Sequence, residues 1–438
     1  MINSTTEEYY RNYYGAYISR YFRSKSAQDT RFNYILAFII ICILLATIAL
    51  SQPLFANSTS KGATIAYSPP PSSSIILDKK NFEENIRQKY RTNQINFPTT
   101  GVAHIKKTKY INSKPVKINI VEINTKVNPY LNIKPQIAGE KLNSKSTVRK
   151  IAQKDNSIIA VNGGFFKPQT GVPLGALMID GKVLTGQIYN RVGIAIFENN
   201  HKTSFKMLNI NFEINALTEN DKVKIDNINQ PRMLQSYTLL YTSDWGKLSP
   251  SAPKNGWNAL VRNKKIIKIS ANPIEMQGND FVIQGGREII SKLANKEEIK
   301  IEIKLQKELE GAKHIISAGP YLVKDSQIYT DTQNERLQAI SGKNPRSAIG
   351  YKNDGTLIIV TVDGREESSV GMTLRELAIL MKNLGCDYAM NFDGGSSSAI
   401  YIKGKVANNA VNKEGISVSN ALTVSEINPY EMQLAGIQ

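Results

Sequence analysis

The sequence predicts an α+β fold: a β-rich, mixed-sheet domain with a few helices, behind a single N-terminal transmembrane helix and a Pro/Ser-rich linker. Three observations predict it. Short runs of β-branched and apolar residues, such as Val116–Asn124, Val192–Phe197 and Leu357–Val362, recur between Gly, Asn and Asp turns. Only two stretches carry helical periodicity. One uncharged apolar run stands alone near the N-terminus. No fixed-period repeat is present.

That run is ILAFIIICILLATIAL at residues 35–50. At 1.5 Å per residue it spans roughly 25 Å, short of the ~20 residues of an ordinary spanning helix. The length fits a short signal anchor or a long signal-peptide core. The long preceding segment and the lack of an A-x-A site favour the anchor. Arg11, Arg20, Arg23, Lys25 and Arg31 precede the span, so the N-terminus is expected to stay in the cytoplasm. The expected order is a cytoplasmic arm (1–33), a span (34–51), a linker (52–100), a catalytic-type domain (101–430) and a tail (431–438). In the arm, Tyr10, Tyr13, Tyr14, Tyr17 and Tyr21 fall at helical spacing, as an interfacial helix or a tyrosine-rich tail would have them. The linker carries Ser68-Pro69-Pro70-Pro71-Ser72-Ser73-Ser74 and then a charged stretch with room for a short helix.

Composition narrows the chemistry. The chain has 438 residues, 2 Cys and 3 His, so neither a disulfide framework nor a Cys/His zinc site is expected. No metal and no cofactor is expected. A net charge of +18 invites a nucleic-acid reading. No basic cluster interleaved with stacking aromatics supports it, and an exported domain would not meet nucleic acid. The expected partners are a sugar-phosphate or polysaccharide substrate and, through the N-terminal helix, the membrane.

Within the domain, one helix is expected at Ser146–Lys154 and a second at 373–384. The second opens on a capping box, Thr373 with Glu376, and carries the apolar face Leu374, Leu377, Ala378, Met381, Leu384 before the stop at Gly385. It separates two strand candidates, Leu357–Val362 and Tyr388–Phe392. If these run parallel across a helical crossover, the Asp363-Gly364-Arg365 and Asp393-Gly394-Gly395-Ser396 turns share one edge of the sheet, where α/β sheets build ligand sites. An antiparallel arrangement would place them on opposite edges. Two further clusters are Asn162-Gly163-Gly164-Phe165-Phe166 and Asn344-Pro345-Arg346-Ser347-Ala348-Ile349-Gly350. Arg346 and Arg365 are candidate anion forks.

These four clusters, taken in their order along the chain from Asn162 to Ser396, resemble the phosphodiester glycosidase family, which includes the "uncovering enzyme" N-acetylglucosamine-1-phosphodiester alpha-N-acetylglucosaminidase and bacterial exported proteins. The resemblance spans roughly residues 110–425. It extends to Ser317-Ala318-Gly319-Pro320-Tyr321-Leu322-Val323 and Val418-Ser419-Asn420-Ala421-Leu422. It implies hydrolysis of the bond between a sugar anomeric carbon and a phosphodiester oxygen. Asp363, Asp393 and Arg365 are then the expected catalytic residues. Arg346, Asn162, Gly163, Gly164, Asn391, Gly394, Gly395 and Ser396 are expected to bind substrate, with Glu366 and Glu367 as reserve carboxylates. The sequence departs from the family at Ser396, where a third glycine is usual, and at Ile416-Ser417, where an arginine is usual. A non-catalytic polysaccharide-binding protein on the same fold is the competing reading. Cys386 and His314 read as buried structural residues, and Trp245 and Trp257 as core or sugar-stacking rings.

Overall fold

The computed structural model describes residues 73–427 apart from 200, 201, 295 and 297. The expected arm, span, N-terminal part of the linker and tail lie outside the described residues. No described helix is long and apolar enough to cross a membrane.

The described chain is β-rich with four α-helices: α1 (Ser73–Tyr90), α2 (Val148–Lys154), α3 (Arg287–Ala294) and α4 (Leu374–Asn383). The largest sheet has eight strands. Their spatial order is Ile95–Thr99, Val102–Ile111, Lys114–Ile123, Leu357–Val362, Arg346–Tyr351, Tyr388–Asn391, Tyr321–Lys324 and Gln327–Ile328. Neighbours within it are antiparallel throughout. Among the described strands the expected mixed pairing is reduced to a parallel pair elsewhere, Asn227–Ile228 with Leu239–Thr242.

Both faces of this sheet are covered, which explains why LIIVTV reads as a continuous apolar run. Ile105, Ile120, Ile358 and Val360 pack under Leu377 and Met381 of α4 and Phe82 and Ile86 of α1. The alternate residues Val121, Ile349, Ile359 and Met390 pack on Ile159, Val161, Leu422 and Val424. Those belong to a second sheet, ordered Lys405–Val406, Ile400–Ile402, Ile159–Asn162, Asn420–Glu426, Leu131–Ile137. Another sheet, containing His314–Ser317 and Val192–Asn199, shares that core.

The stretch expected as linker is partly folded. Phe82, Ile86 and Tyr90 of α1 are buried, and Lys89 Nζ and Tyr90 Oη both donate to Glu122 on the Lys114–Ile123 strand. The folded part therefore begins before Gly101.

Helix α4 forms with its capping box. Thr373 Oγ1 accepts from Glu376 N (3.2 Å), and Glu376 Oε2 accepts from Thr373 N (2.8 Å). The strands before and after it are each antiparallel to Arg346–Tyr351, which lies between them. They therefore run parallel to one another, two interstrand steps or about 10 Å apart. Asp363 and Asp393 emerge at the same edge, beside the start of the Arg346–Tyr351 strand.

Candidate active site

Beyond Val362 the chain turns through Asp363-Gly364-Arg365, with Arg365 at φ 65°. Ser369 Oγ ties the turn by donating to the Asp363 carbonyl (2.6 Å). Beyond Asn391 the chain passes Phe392 and Asp393 into a short 3₁₀ turn, Gly395–Ser397. Gly395 has φ 60°, and a Cβ there would stand 3.0 Å from Arg365 Nη2. Glycine lets the two turns approach. Between them and the 409–413 loop lies an open pocket of about 320 Å³, whose lining includes Arg365, Glu366, Ser396, Ser398, Asn409 and Lys413. Arg365 is aimed by two contacts. Its Nη1 donates to Ser396 Oγ (3.2 Å), and its Nε and Nη2 donate to Asn344 Oδ1 (3.2 and 2.9 Å).

Neither Asp363 nor Asp393 lines this pocket; they sit behind its wall, next to the lining residues Gly364, Arg365 and Gly395. Asp363 is 5% exposed, and its Oδ1 accepts from Asn409 N (3.0 Å). Burial holds it above the usual carboxylate range, and hydrogen bonds from Asn409 and Asn408 pull the other way. Asp393 accepts from Gly394 N (2.9 Å). Burial pushes it up to about 6, against the Ser397 hydroxyl, the Gly394 N–H and the charge of Arg191. Two upward-shifted carboxyl groups at one sheet edge are what proton transfer near neutral pH requires.

The other expected site residues divide. Gly395 and Ser396 join Arg365 in lining the pocket, and Gly394 lies against Pro345 and Arg346. Asn162, Asn391, Gly163, Gly164 and Arg346 form the support beneath it. Asn162 is wholly buried and links three segments: its Nδ2 donates to the Asp393 carbonyl (2.7 Å), and its Oδ1 accepts from Ser347 Oγ (2.7 Å) and Ala399 N (3.2 Å). Gly163 carries the carbonyl that accepts from Asp393 N (3.0 Å). A side chain on Gly163 would overlap Asn420 Oδ1, and one on Gly164 would overlap the Ser317 carbonyl, so both glycines serve close packing. Asn391 Nδ2 donates to the Gly319 carbonyl (2.9 Å). Arg346, 2% exposed, does not line the pocket. It starts the strand on the helix-covered face, and its guanidinium donates to the carbonyls of Met372 (2.9 Å), Ile340 (2.6 Å) and Gly342.

Sequence reasoning missed Lys413, Asn409 and Arg191. Lys413 lies in the pocket wall a few residues before Ile416-Ser417, so this loop does bring a cation to the site. No local motif announces it. His314 is buried and accepts from Asp180 N (3.1 Å), and burial pushes it down to about 4. Cys386 is a buried free thiol pushed up to about 12. Trp245 packs edge-on against Tyr241, and Trp257 is 38% exposed on a different sheet; neither lines the pocket. Among the described residues, no group of three or more His, Cys, Asp and Glu side chains is arranged to hold a metal ion.

Several buried polar atoms without a protein partner lie near the two aspartate turns. Among the described residues such atoms are Arg191 Nη1, Gln230 Oε1, Ser317 Oγ, Thr361 Oγ1, Asn391 Oδ1 and Ser398 Oγ. Thr361 and Asn391 each stand two residues before a site aspartate, Ser398 lines the pocket, and Ser317 packs on Gly164.

The sequence profile of the phosphodiester glycosidase family matches residues 155–425, more than half of the chain. The chain belongs to the phosphodiester glycosidase family. SPbeta prophage-derived protein YomE of Bacillus subtilis (strain 168) is 37% identical over 134 residues, which cover 31% of this chain and 20% of YomE. The chain thus aligns with only a fifth of that relative's length. A solved Synechocystis structure shares the fold at 23% identity and a TM-score of 0.67, covering 75% of this chain and 63% of that one. A Burkholderia pseudomallei K96243 structure does so at 20% identity and 0.60, covering 71% and 74%. The glycosidase fold and the pair of edge aspartates are therefore present together.

Proposed function

We propose that this phosphodiester glycosidase family member is an exported, membrane-anchored hydrolase. It cleaves the bond between a sugar anomeric carbon and a phosphodiester oxygen, in envelope or extracellular polysaccharide metabolism. The observation that carries the reading is the pairing of Asp363 and Asp393 at one edge, beside a pocket walled by Arg365 and Lys413.

Ionised Asp393 takes a proton from a water molecule that attacks the anomeric carbon. The bond from that carbon to the phosphodiester oxygen breaks, and its electron pair stays with the phosphate. The products are a free sugar and a phosphate monoester. Asp363 faces the positive charge that develops on the sugar, as the second carboxylate of a glycosidase does. The departing phosphate is a weak base and needs little help from an acid. It gains more from fixed cations, which Arg365 and Lys413 supply. Arg365 is pre-aimed by Asn344 and Ser396, so little reorganisation is needed. The export reading rests on the apolar run at 35–50 and the arginines before it.

The test is hydrolysis of a synthetic sugar-1-phosphodiester in ¹⁸O-labelled water by the full chain in detergent. Label is expected in the released sugar. Label in the phosphate would show cleavage of the phosphorus–oxygen bond and remove this mechanism.

A further inference from the structure

The pocket beside Arg365 touches one flank of the Asp393 loop. The other flank carries a group that the proposed mechanism leaves idle. Arg191 immediately precedes the Val192–Asn199 strand and is 9% exposed. Its guanidinium lies 4.9 Å from the centre of the Phe165 ring and 5.5 Å from that of Tyr189. Phe165 closes the Asn162-Gly163-Gly164 segment, whose Gly163 carbonyl accepts from Asp393 N. Arg191 therefore lies on the Gly163 flank of Asp393, and Arg365 on the Ser396 flank. A second cation, Arg336, lies 4.6 Å from the centre of the same Tyr189 ring.

Arg191 is only partly satisfied. Its Nε donates to the Glu335 carbonyl (3.4 Å), while Nη1 is buried with no partner. Both Glu335 carboxylate oxygens accept from backbone, Tyr321 N (3.0 Å) and Val192 N (3.2 Å). A buried, unpaired guanidinium arm is expensive, and an anion is its natural complement. Phe165 and Tyr189 hold the guanidinium between cation–π contacts, and Tyr189, 36% exposed, leaves an aromatic edge open to a sugar beside it.

We propose that Arg191, Phe165 and Tyr189 form the glycosyl subsite, and that Arg191 selects a sugar bearing a carboxylate, that is, a uronic acid unit. The inference rests on the glycosidase reading and deepens it. Cations on both flanks of Asp393 suit a ligand that is negative at both ends, with phosphate at Arg365 and carboxylate at Arg191.

The test is calorimetric binding of D-glucuronate and D-galacturonate against D-glucose and D-galactose, using the full chain and its Arg191→Gln variant. The wild type should bind at least one acid about tenfold or more tightly than its neutral counterpart, the scale of one charge-assisted hydrogen bond. Arg191→Gln should bring that ratio near one. Equal binding of acid and neutral sugar, no measurable binding of either acid, or a preference that survives Arg191→Gln would each overturn the proposal. If the variant fails to fold, wild-type crystals soaked in the acid decide. A carboxylate within hydrogen-bonding distance of Arg191 Nη1 supports the subsite, and one bound elsewhere removes it. These readouts do not depend on turnover. Acid preference without hydrolysis would sink only the reaction, and hydrolysis without acid preference would sink only the subsite.

Discussion

At the scale of single residues, Asp393 carries a conflict between stability and chemistry. Its carboxyl is raised to about 6 chiefly by burial, so the folded state holds a proton that the unfolded chain releases near its ordinary value. The folded state binds more protons between those values, so this group's contribution falls as pH rises through 6. Asp393→Asn keeps an oxygen for the Gly394 N–H and removes the buried charge. Its stability relative to wild type should therefore improve between pH 4 and pH 8, by about 1–3 kcal/mol, as denaturant unfolding at each pH would show. A constant difference would mean that Asp393 is not desolvated. The two arginines of the motif should behave oppositely. Arg365→Gln touches a pocket-lining guanidinium tied to exposed partners, so KM should rise while stability changes by less than about 0.5 kcal/mol. Arg346→Gln strips three carbonyls of a buried donor, so unfolding should become easier by about 3 kcal/mol or more. From the sequence these arginines look alike as anion forks. Only strand alternation, which sends Arg346 to the helix-covered face, separates them.

At the scale of elements, α4 is the hinge of the argument, because its crossover brings both aspartates to one edge. It was also the most legible element, since its signals are local: Thr373 and Glu376 in a box, an apolar stripe, and Gly385 at φ 90°. Thr373→Ala should cost about 1 kcal/mol, measurable by chemical denaturation, and no loss would mean that the cap is redundant. Helix α1 was scarcely legible. Its buried contacts are Phe82, Ile86 and Tyr90, a thin stripe in a charged segment, and its partner Glu122 lies far along the chain. Ile86→Ala should cost about 2–4 kcal/mol if α1 is part of the folded domain. A negligible cost would return the segment to the linker.

At the scale of the molecule, the site is assembled by sheet stacking. The main sheet supplies Asp363 and Asp393, the second sheet supplies Asn162 and Asn420, and a third begins just after Arg191. The ordered clusters made the first two legible. The Arg191 flank was hidden, because no spacing rule links residue 191 to residue 393. The +18 charge also changes meaning at this scale. Lys106, Lys107, Lys264, Lys265 and Lys304 are exposed among strand residues, so this part of the charge is a solvated surface. Deleting residues 1–51 should move the protein from the membrane fraction to the soluble fraction of lysed cells. Retention in the membrane would refute the proposed anchor.

The central claim is that Asp393 drives hydrolysis of a sugar-1-phosphodiester. Its most direct test is kcat/KM for free-sugar release from such a substrate, measured across pH for wild type and Asp393→Asn. The account predicts wild-type turnover that rises through about pH 6 as Asp393 ionises, and a loss of about 10²–10⁴-fold in the folded variant. Equal rates for the two proteins, or a wild-type rate that falls as pH rises through 6, would contradict it.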